Sequence, residues 1–426
     1  MLEQELEHYF DRLWPICRSI TGNGLRDSFN ILNEIIPLEL REIPTGTKVF
    51  DWEVPKEWNV SKAFLLAPDG RKIADFSVNN LHLVSYSIPQ NIEMEWEELE
   101  PHIHYLEEQP KAIPYITTYY KETWGFCLSY EEYLTLPKHG MYHVFIESNL
   151  NAGSLTYGEA LLAGNSSEEI LISSYLCHPS MANNELSGPL ATAFLYKKLA
   201  QLKDRKYSYR FVIAPETIGV ICFLNNRGVH LKKHLKAGYV LTCCGDSGKL
   251  NFKRSKNTSD AVNSIAEHIL DYESNDYGVR DFSVGGSDER QYCSPGFNLP
   301  VGSFMRTPYQ EFKEYHTSLD NKQFIDFKAL TNTVDTVYNV CKAFEINSNP
   351  FCHIQECEPQ LGKRGLYPSS FNPEQSRTLI HRRMHLLSYS DGQHSLLEIA
   401  EKRGECILHY EHEVDLLVQS GLIELK

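Results

Sequence analysis

The sequence predicts an α/β protein, because short runs of strand-forming residues alternate with helical stretches in its central part. The strand-forming runs lie at 169–175, 209–214 and 237–242, and the helical stretches include 191–202 and 259–272. Strands of this length between helices are typical of parallel sheets that are covered on both faces. We therefore expect a layered α/β domain in this part of the chain.

The length and the charge of the chain limit its organisation and its partners. At 426 residues the chain exceeds one ordinary core, so two or three domains are expected. The net charge of −15 argues against a general affinity for nucleic acid or for anionic membranes. No apolar run is long enough to span a bilayer, and the acidic first residues are unlike a signal peptide. We expect a cytoplasmic protein.

Changes of pattern along the chain predict four regions. A helical apolar stripe occupies 2–14, and strand-like runs separated by turns occupy 48–54, 62–66 and 81–86. We predict a helical first part of the main domain at 1–40, a small β-rich insert at 41–139, the α/β domain itself at 140–346, and a winged helix-turn-helix domain at 347–426.

The winged helix prediction comes from the segment 395–401, Ser-Leu-Leu-Glu-Ile-Ala-Glu, and from a later helix that ends in Ser-Gly-Leu-Ile. Residues 351–426 hold 11 acidic and 8 basic side chains, a net charge of −3. DNA-binding modules are usually basic. The charge therefore favours a contact with protein, including a homo-oligomer, over nucleic acid.

Polar side chains follow the predicted strands of the α/β domain, where ligands bind in open α/β sheets. His178 comes after the first of these strands, and Asn184 and Glu185 lie at the start of the next helix. Glu216 follows the second strand and Asp246 the third. Each has an ordinary structural alternative: a hydrogen-bonded histidine, a helix cap or a turn-forming aspartate.

Two later segments add further candidates. Asp288 and Glu289 follow a glycine pair, and His316 lies beside Tyr315 in the sequence Tyr-His-Thr-Ser-Leu-Asp. Asp320, at the end of that sequence, is placed to hold the second ring nitrogen of the histidine.

The order of these segments resembles the zinc aminopeptidases, whose relatives include the glutaminyl cyclases. The resemblance covers about 150–345, with the motif at 315–320 and the Ser-Gly helix start at 187–188 as its best parts. The whole chain, with its Arg-Ser-Ile-Thr-Gly-x-Gly segment at 18–24, is similar to an uncharacterised bacterial family of aminopeptidase-like proteins. This resemblance implies a three-layer zinc exopeptidase core, an insert similar to a protease-associated domain, and a C-terminal winged helix.

The resemblance also implies roles for single residues. The first zinc-binding histidine falls on His178 and the last on His316, while an aspartate ligand falls near Asp246 and a bridging carboxylate on Glu185. The general base falls on Glu216. Residues expected to bind the substrate, including its free α-ammonium, are Asp288, Glu289, Asn184 and Tyr315.

Three departures from the family pattern reduce the number of carboxylates. Ser180 stands where an aspartate normally orients the first histidine, the run at 183–185 reads Asn-Asn-Glu, and Thr217 replaces a second glutamate. Two neighbouring divalent ions need several carboxylates to offset their charge. We therefore predict one zinc ion, with two left open, held by both histidines and a carboxylate.

The predicted function is a metal-dependent hydrolase, an aminopeptidase that cleaves a short peptide or an amino-acid conjugate. Zinc-activated water attacks the amide, and Glu216 transfers the proton. Carboxypeptidase-like action, cyclisation and deacylation of an amino-sugar conjugate stay open within the enzyme class. The alternative outside that class is a ligand-sensing or scaffold protein with a degenerate hydrolase domain.

Overall fold

The computed structural model describes residues 2–273, 276–367 and 373–426. Its helices are α1 (Leu2–Leu13), α2 (Asn23–Leu32), α3 (Trp96–Leu99), α4 (Tyr130–Leu134), α5 (Ser187–Leu199), α6 (Ile218–His234), α7 (Ala261–Glu273), α8 (Glu289–Tyr292), α9 (Phe327–Ile346), α10 (Pro373–Tyr389), α11 (Leu396–Arg403) and α12 (Glu411–Gln419). Its strands are β1 (Glu39–Pro44), β2 (Lys48–Val49), β3 (Trp52–Glu53), β4 (Glu57–Leu66), β5 (Lys72–Ile73), β6 (Gln90–Glu95), β7 (Ile103–His104), β8 (Phe126–Cys127), β9 (Met141–Asn151), β10 (Ser154–Leu162), β11 (Glu169–Tyr175), β12 (Ser208–Ala214), β13 (Leu235–Leu241), β14 (Leu250–Lys253), β15 (Tyr277–Arg280), β16 (Val301–Met305), β17 (Pro350–Cys352) and β18 (Ile423–Leu425).

The chain forms two compact units. Of the described residues, the first unit contains 2–263 and 276–335, and the second contains 264–273, 336–367 and 373–426. Within the described part of the chain, no helix is both long enough and apolar enough to cross a membrane.

An eight-stranded sheet forms the centre of the first unit, in the order β1-β10-β12-β11-β13-β16-β14-β15. The central strands β12, β11, β13 and β16 are parallel neighbours, as the strand-forming runs predicted. Every residue of β11 and β12 is buried, because helices cover both faces of the sheet. Tyr175 and Ala214 are paired at the ends of these strands, so the residues that follow them leave the sheet at one edge.

The β-rich region forms a second sheet of four strands, in the order β5-β4-β9-β6. Strand β9, from the region predicted at 140–346, pairs with β4 and β6 of this sheet. The strand expected at 81–86 does not form. Residues Asn80–His82 make a single 3₁₀ turn instead, because the Asn79 side chain accepts a hydrogen bond from the Leu81 N–H.

The second unit contains the three predicted C-terminal helices, α10, α11 and α12, and the short antiparallel pair β17–β18. Helix α11 starts with a capping box in which Ser395 and Glu398 exchange hydrogen bonds. Its apolar face, Leu396, Ile399 and Ala400, is buried. These elements form the predicted winged helix domain.

Candidate metal centre

His178 lies three residues after β11 and is held by Glu185. The His178 Nδ1–H donates to Glu185 Oε2 at 2.8 Å, and the Cys177 N–H donates to Glu185 Oε1. Glu185 occupies a buried π-helical turn, Ala182–Leu186, directly before α5. Because Nδ1 is used by Glu185, Nε2 is the ring nitrogen left to face the pocket described below, and it carries a lone pair when His178 is neutral.

His316 lies in a loop that is tied to the β-rich region. The Tyr115 N–H donates to the His316 carbonyl at 2.9 Å, and the Tyr315 ring stacks on the imidazole with centroids 4.0 Å apart. The rings of His178 and His316 have centroids 5.3 Å apart. Burial, together with the charge of His178, lowers the pKa of His316 to about 3. His316 is therefore a neutral imidazole over the whole physiological pH range.

Glu216 follows β12 and completes the group. Its Oε2 lies 3.8 Å from His178 Nε2. Burial raises the pKa of the Glu216 carboxyl, although the nearby charges of His178 and Arg290 oppose the increase. Arg290 is fixed in place because its Nη2 donates to Thr217 Oγ1 at 2.9 Å.

The two histidines and Glu216 open into one cavity of about 340 Å³, which we call the histidine pocket. It is lined by Ile20, Trp52, Tyr115, Thr117, Tyr119, Tyr120, Cys177, His178, Glu216, Thr217, Ile218, Arg290 and His316. This is an aromatic pocket with two imidazoles, one carboxylate and one guanidinium, a composition typical of small-molecule sites.

The sequence matches the family described as Domain of unknown function (DUF4910) over residues 7–347, which is most of the chain. The chain belongs to the DUF4910 family. Residues 350–425 match a second family, described as winged helix-turn-helix. A Clostridium acetobutylicum protein, provisionally named a polysaccharide biosynthesis protein with aminopeptidase-like domain, is 44% identical to this DUF4910 chain over 421 residues. Those residues are 99% of the chain and 96% of the relative.

Solved structures give the DUF4910 chain the fold that the sequence predicted. The crystal structure of a provisionally named peptidase from Clostridium acetobutylicum has a TM-score of 0.92 and 43% identity, covering 100% of this chain and 96% of that chain. BSAP, a zinc aminopeptidase from Bacillus subtilis, has a TM-score of 0.57 and 12% identity, covering 79% of this chain and 94% of that chain. The Peptidase M28 precursor of Shewanella amazonensis has a TM-score of 0.55 and 11% identity, covering 80% and 92%. The predicted aminopeptidase-like fold with a C-terminal winged helix is confirmed.

Three of the nine predicted site residues of this DUF4910 protein line the histidine pocket: His178, Glu216 and His316. The two carboxylates expected as ligands have other contacts. Glu185 is bound to the Nδ1 side of His178. Asp246 accepts hydrogen bonds from the N–H and hydroxyl groups of Thr307, from the Gly248 N–H and from the Asn183 amide.

The residues expected to bind substrate lie around the pocket and do not line it. Asp288 is fully buried, and its Oδ1 accepts the Thr217 N–H at 2.7 Å, while Glu289 pairs with Lys253 at 2.8 Å. Asn184 is buried against Tyr175 and Met181, and Tyr315 backs His316, as described above.

The expected contact between Asp320 and His316 is replaced by another one. Asp320 accepts the N–H groups of Asn183 and Asn184, at 2.7 and 2.8 Å. This side chain therefore holds the turn that contains Glu185, because two orphan N–H groups at a helix start attract a carboxylate more strongly than a neutral ring does.

Several residues of the pocket walls carried no prediction from the sequence. Trp52, Tyr115, Tyr119 and Tyr120 all come from the β-rich region and form the pocket walls. The three tyrosines within residues 115–120 are a feature of the sequence that could have indicated an aromatic pocket wall. The partner loop of this segment could not be read from the sequence, because the contacting residues Ile113 and Ser318 are 205 positions apart.

The two imidazoles of this DUF4910 protein have a separation that suits a shared zinc ion, although the possible ligands whose donor atoms all lie within 4.8 Å of one another, among the described residues, are Cys177, His178 and Glu185. Zinc–nitrogen bonds of about 2.0–2.1 Å place the centroids of two imidazoles on one tetrahedral ion roughly 5 Å apart. The observed 5.3 Å between the rings of His178 and His316 agrees with this value. Glu216, assigned to proton transfer and not to the metal, has its Oε2 3.8 Å from His178 Nε2, and Asp288 Oδ2 is a buried oxygen without a hydrogen-bond partner among the described residues. Burial and the neighbouring Glu216 raise the pKa of Asp288.

Proposed function

We propose that this DUF4910 protein is a metal-dependent hydrolase that cleaves the amide bond at the amino end of a short peptide or amino-acid conjugate. The observation that carries the proposal is the convergence of His178, His316 and Glu216 on one pocket of an aminopeptidase-like fold. Histidines that face an open pocket are typical ligands of catalytic zinc, and a neighbouring carboxylate such as Glu216 can then act as the base. Zinc held by His178 and His316 would polarise the substrate carbonyl and lower the pKa of the attacking water.

The protein's own residues bind, orient and move protons. Glu185 holds the Nδ1–H of His178 and so keeps its Nε2 directed into the pocket. Glu216 Oε2 takes the proton of the attacking water and returns it to the departing amine. The raised pKa of Glu216 suits this double role, because a base works best when its pKa approaches the working pH.

Substrate recognition is assigned to the pocket walls and to one buried acid. Asp288 is the partner that we propose for the substrate's free α-ammonium, because its Oδ2 has no hydrogen-bond partner among the described residues while Glu289 pairs with Lys253; since Asp288 does not line the pocket, this contact requires its side chain to move. Arg290 also lines the histidine pocket and can donate to a carbonyl or an anionic group of the substrate. The provisional name of the Clostridium relative, which refers to polysaccharide biosynthesis, favours an amino-sugar or amino-acid conjugate as substrate.

The test combines metal content with turnover on the full-length protein. Purified wild type, Glu216→Gln and the control Glu168→Gln, whose exposed carboxylate is 3.7 Å from Lys236, are analysed for zinc. They are then assayed on aminoacyl amides and on aminoacyl and acyl amino sugars. We expect Glu216→Gln to keep its zinc and to lose about 100-fold or more in turnover, the usual effect of removing a general base.

Two results would contradict the proposal. Full turnover by Glu216→Gln would show that another group moves the proton. A wild-type protein that contains no zinc and is inactive on every substrate would favour the alternative, a ligand-sensing or scaffold protein whose hydrolase domain is degenerate.

For the winged helix we propose a contact with protein, including a second copy of the chain. The support is the net charge of −3 in 351–426, since nucleic acid modules are usually basic. A gel shift of the full-length protein on mixed duplex DNA at low salt is expected to show no complex, and a clear shift would show that the protein binds DNA and contradict this assignment.

A further inference from the structure

A second cavity, of about 380 Å³, lies beside the histidine pocket and shares Trp52 with it. We call it the apolar groove; its walls include Phe50, Trp52, Ile221, Leu224 and Phe297. A volume of this size is in the range of small-molecule sites. Because one side chain lines both cavities, the two are neighbours, and among the described residues they meet at Trp52 alone.

Helix α6 contributes residues to both cavities. Ile218 lines the histidine pocket, whereas Ile221 and Leu224, farther along α6, line the apolar groove. These three buried residues are spaced by three positions, so their side chains lie on neighbouring parts of one helix face. From Ile218, two residues after Glu216, to Leu224 in the groove, these three positions of α6 therefore present apolar side chains to the cavities.

The outer wall is the tip of the β2–β3 hairpin. Phe50 has a φ of 56°, in the left-handed region that is costly for a bulky aromatic residue. Its ring is 61% exposed and touches Phe297 edge-on, with centroids 5.7 Å apart. Trp52 meets Tyr120 in the same way at 5.9 Å. Exposed aromatic rings that are held together at the mouth of a cavity mark an apolar binding surface.

We propose that the apolar groove binds an alkyl or aryl group on the leaving-amine side of the substrate. The proposal rests on the proposed function, because it takes the histidine pocket as the place of bond cleavage. An aminopeptidase substrate has one residue on the amino side of that bond, so the part long enough to pass Trp52 is the leaving group. Asp51 and Lys232, which also line the groove, balance each other in charge, so the bound group is neutral.

The groove is tested by binding, without any need for turnover. N-propylurea and N-hexylurea carry the same polar head, have no aminoacyl bond, and differ by three methylenes. Each fully buried methylene raises affinity about fourfold, and half-burial in an open groove about twofold. Titration calorimetry on the full-length wild type is therefore expected to show about eightfold tighter binding of the hexyl compound.

The variant Phe50→Ser removes one wall at an exposed hairpin tip, and Leu134→Ser is the matched control, since Leu134 is 60% exposed on α4. Phe50→Ser is expected to reduce the preference for hexylurea to about twofold, and Leu134→Ser to leave it at eightfold. Equal affinities for both ureas in wild type, or an unchanged preference in Phe50→Ser, would overturn the proposal.

A second arm separates this proposal from the function on which it rests. If the wild type hydrolyses glycinamides, kcat/KM is expected to rise about eightfold from N-propyl to N-hexyl glycinamide. A urea preference without any hydrolysis would retain the groove as an apolar site and refute the hydrolase. An oligomer that dissociates in Phe50→Ser, seen by light scattering without a chain-length effect, would overturn the proposal and assign the groove to a second copy of the chain.

Discussion

Replacing Glu185 by glutamine is the most direct way to perturb the candidate metal centre without touching its open face. In the wild type the Glu185 carboxylate accepts two hydrogen bonds, from His178 Nδ1 and from the Cys177 N–H. Arg18, fully buried, has its Nε 3.9 Å from the same carboxylate. A glutamine side chain offers one oxygen and one NH₂ group, so one of the two N–H donors must face another donor.

The size of the effect follows from these contacts. One hydrogen bond to a charged acceptor contributes about 1.5–3 kcal/mol, and every 1.4 kcal/mol changes an equilibrium about tenfold. If that bond orients His178, zinc affinity falls by about 10- to 100-fold, which is also the usual effect of losing a partner of a metal-bound histidine. The buried Arg18 charge loses its counter-charge as well, and we expect the metal-free protein to lose about 3 kcal/mol of unfolding free energy.

Zinc affinity is measured by competition with a chromophoric chelator, and unfolding free energy by urea titration of the metal-free protein. The control Glu168→Gln removes an exposed carboxylate and should change neither quantity. An unaltered zinc dissociation constant in Glu185→Gln would refute the reasoning, because it would mean that the Nδ1 contact does not position the ring.

Three further predictions concern other parts of the chain. Glu57→Gln should lower the unfolding free energy by about 1–3 kcal/mol at pH 7, because Arg26 holds the Glu57 pKa at about 2. The stabilisation that comes from this lowered pKa is fully present above the unfolded value near 4.5 and is lost as the pH falls towards 2. Urea titrations should therefore show the difference in unfolding free energy between wild type and Glu57→Gln vanishing near pH 2, and a constant difference would contradict the Arg26–Glu57 assignment. Asp246→Ala should keep the wild-type zinc dissociation constant while losing about 2–4 kcal/mol in urea unfolding, because its carboxylate is used by Thr307 and its neighbours; a lost zinc site in folded protein would make Asp246 a ligand after all. Ser395→Ala should destabilise the winged helix unit by about 1 kcal/mol through loss of the α11 cap, measured as a lower melting temperature of that unit, and an unchanged melting temperature would argue against the capping box.

The parts of the fold that could be predicted from the sequence are those set by local patterns. Strands β11, β12 and β13 formed within two residues of the predicted runs, because continuous strand-forming residues at a buried position leave few alternatives. The carboxyl ends of these strands then place His178 and Glu216 at one edge of the sheet. The failure at 81–86 has the same local origin, since a single capping side chain, Asn79, turns that run away from a strand.

The parts of the candidate site that could not be predicted depend on contacts between distant segments. The sequence showed that Ser180 lacks the carboxylate expected to orient His178, but not that Glu185 occupies that role from the following turn. Nor did it show that the tyrosine run at 115–120 reaches the His316 loop. Such contacts depend on the position of the β-rich region relative to the eight-stranded sheet. The local sequence patterns of residues 115–120 and of the His316 loop carry no information about that position.

A positive charge near Glu216, which could not be located from the sequence, supports the prediction of one zinc ion. Thr217 stands where the resemblance implies a carboxylate for a second ion, and its hydroxyl accepts a hydrogen bond from Arg290. A fixed guanidinium there repels a divalent cation, and at low dielectric this repulsion is strong over several ångströms. The substitution at 217 therefore does more than remove a ligand. Together with Arg290 it supplies a positive charge in place of a second metal, close to the carboxylate that we assign to proton transfer.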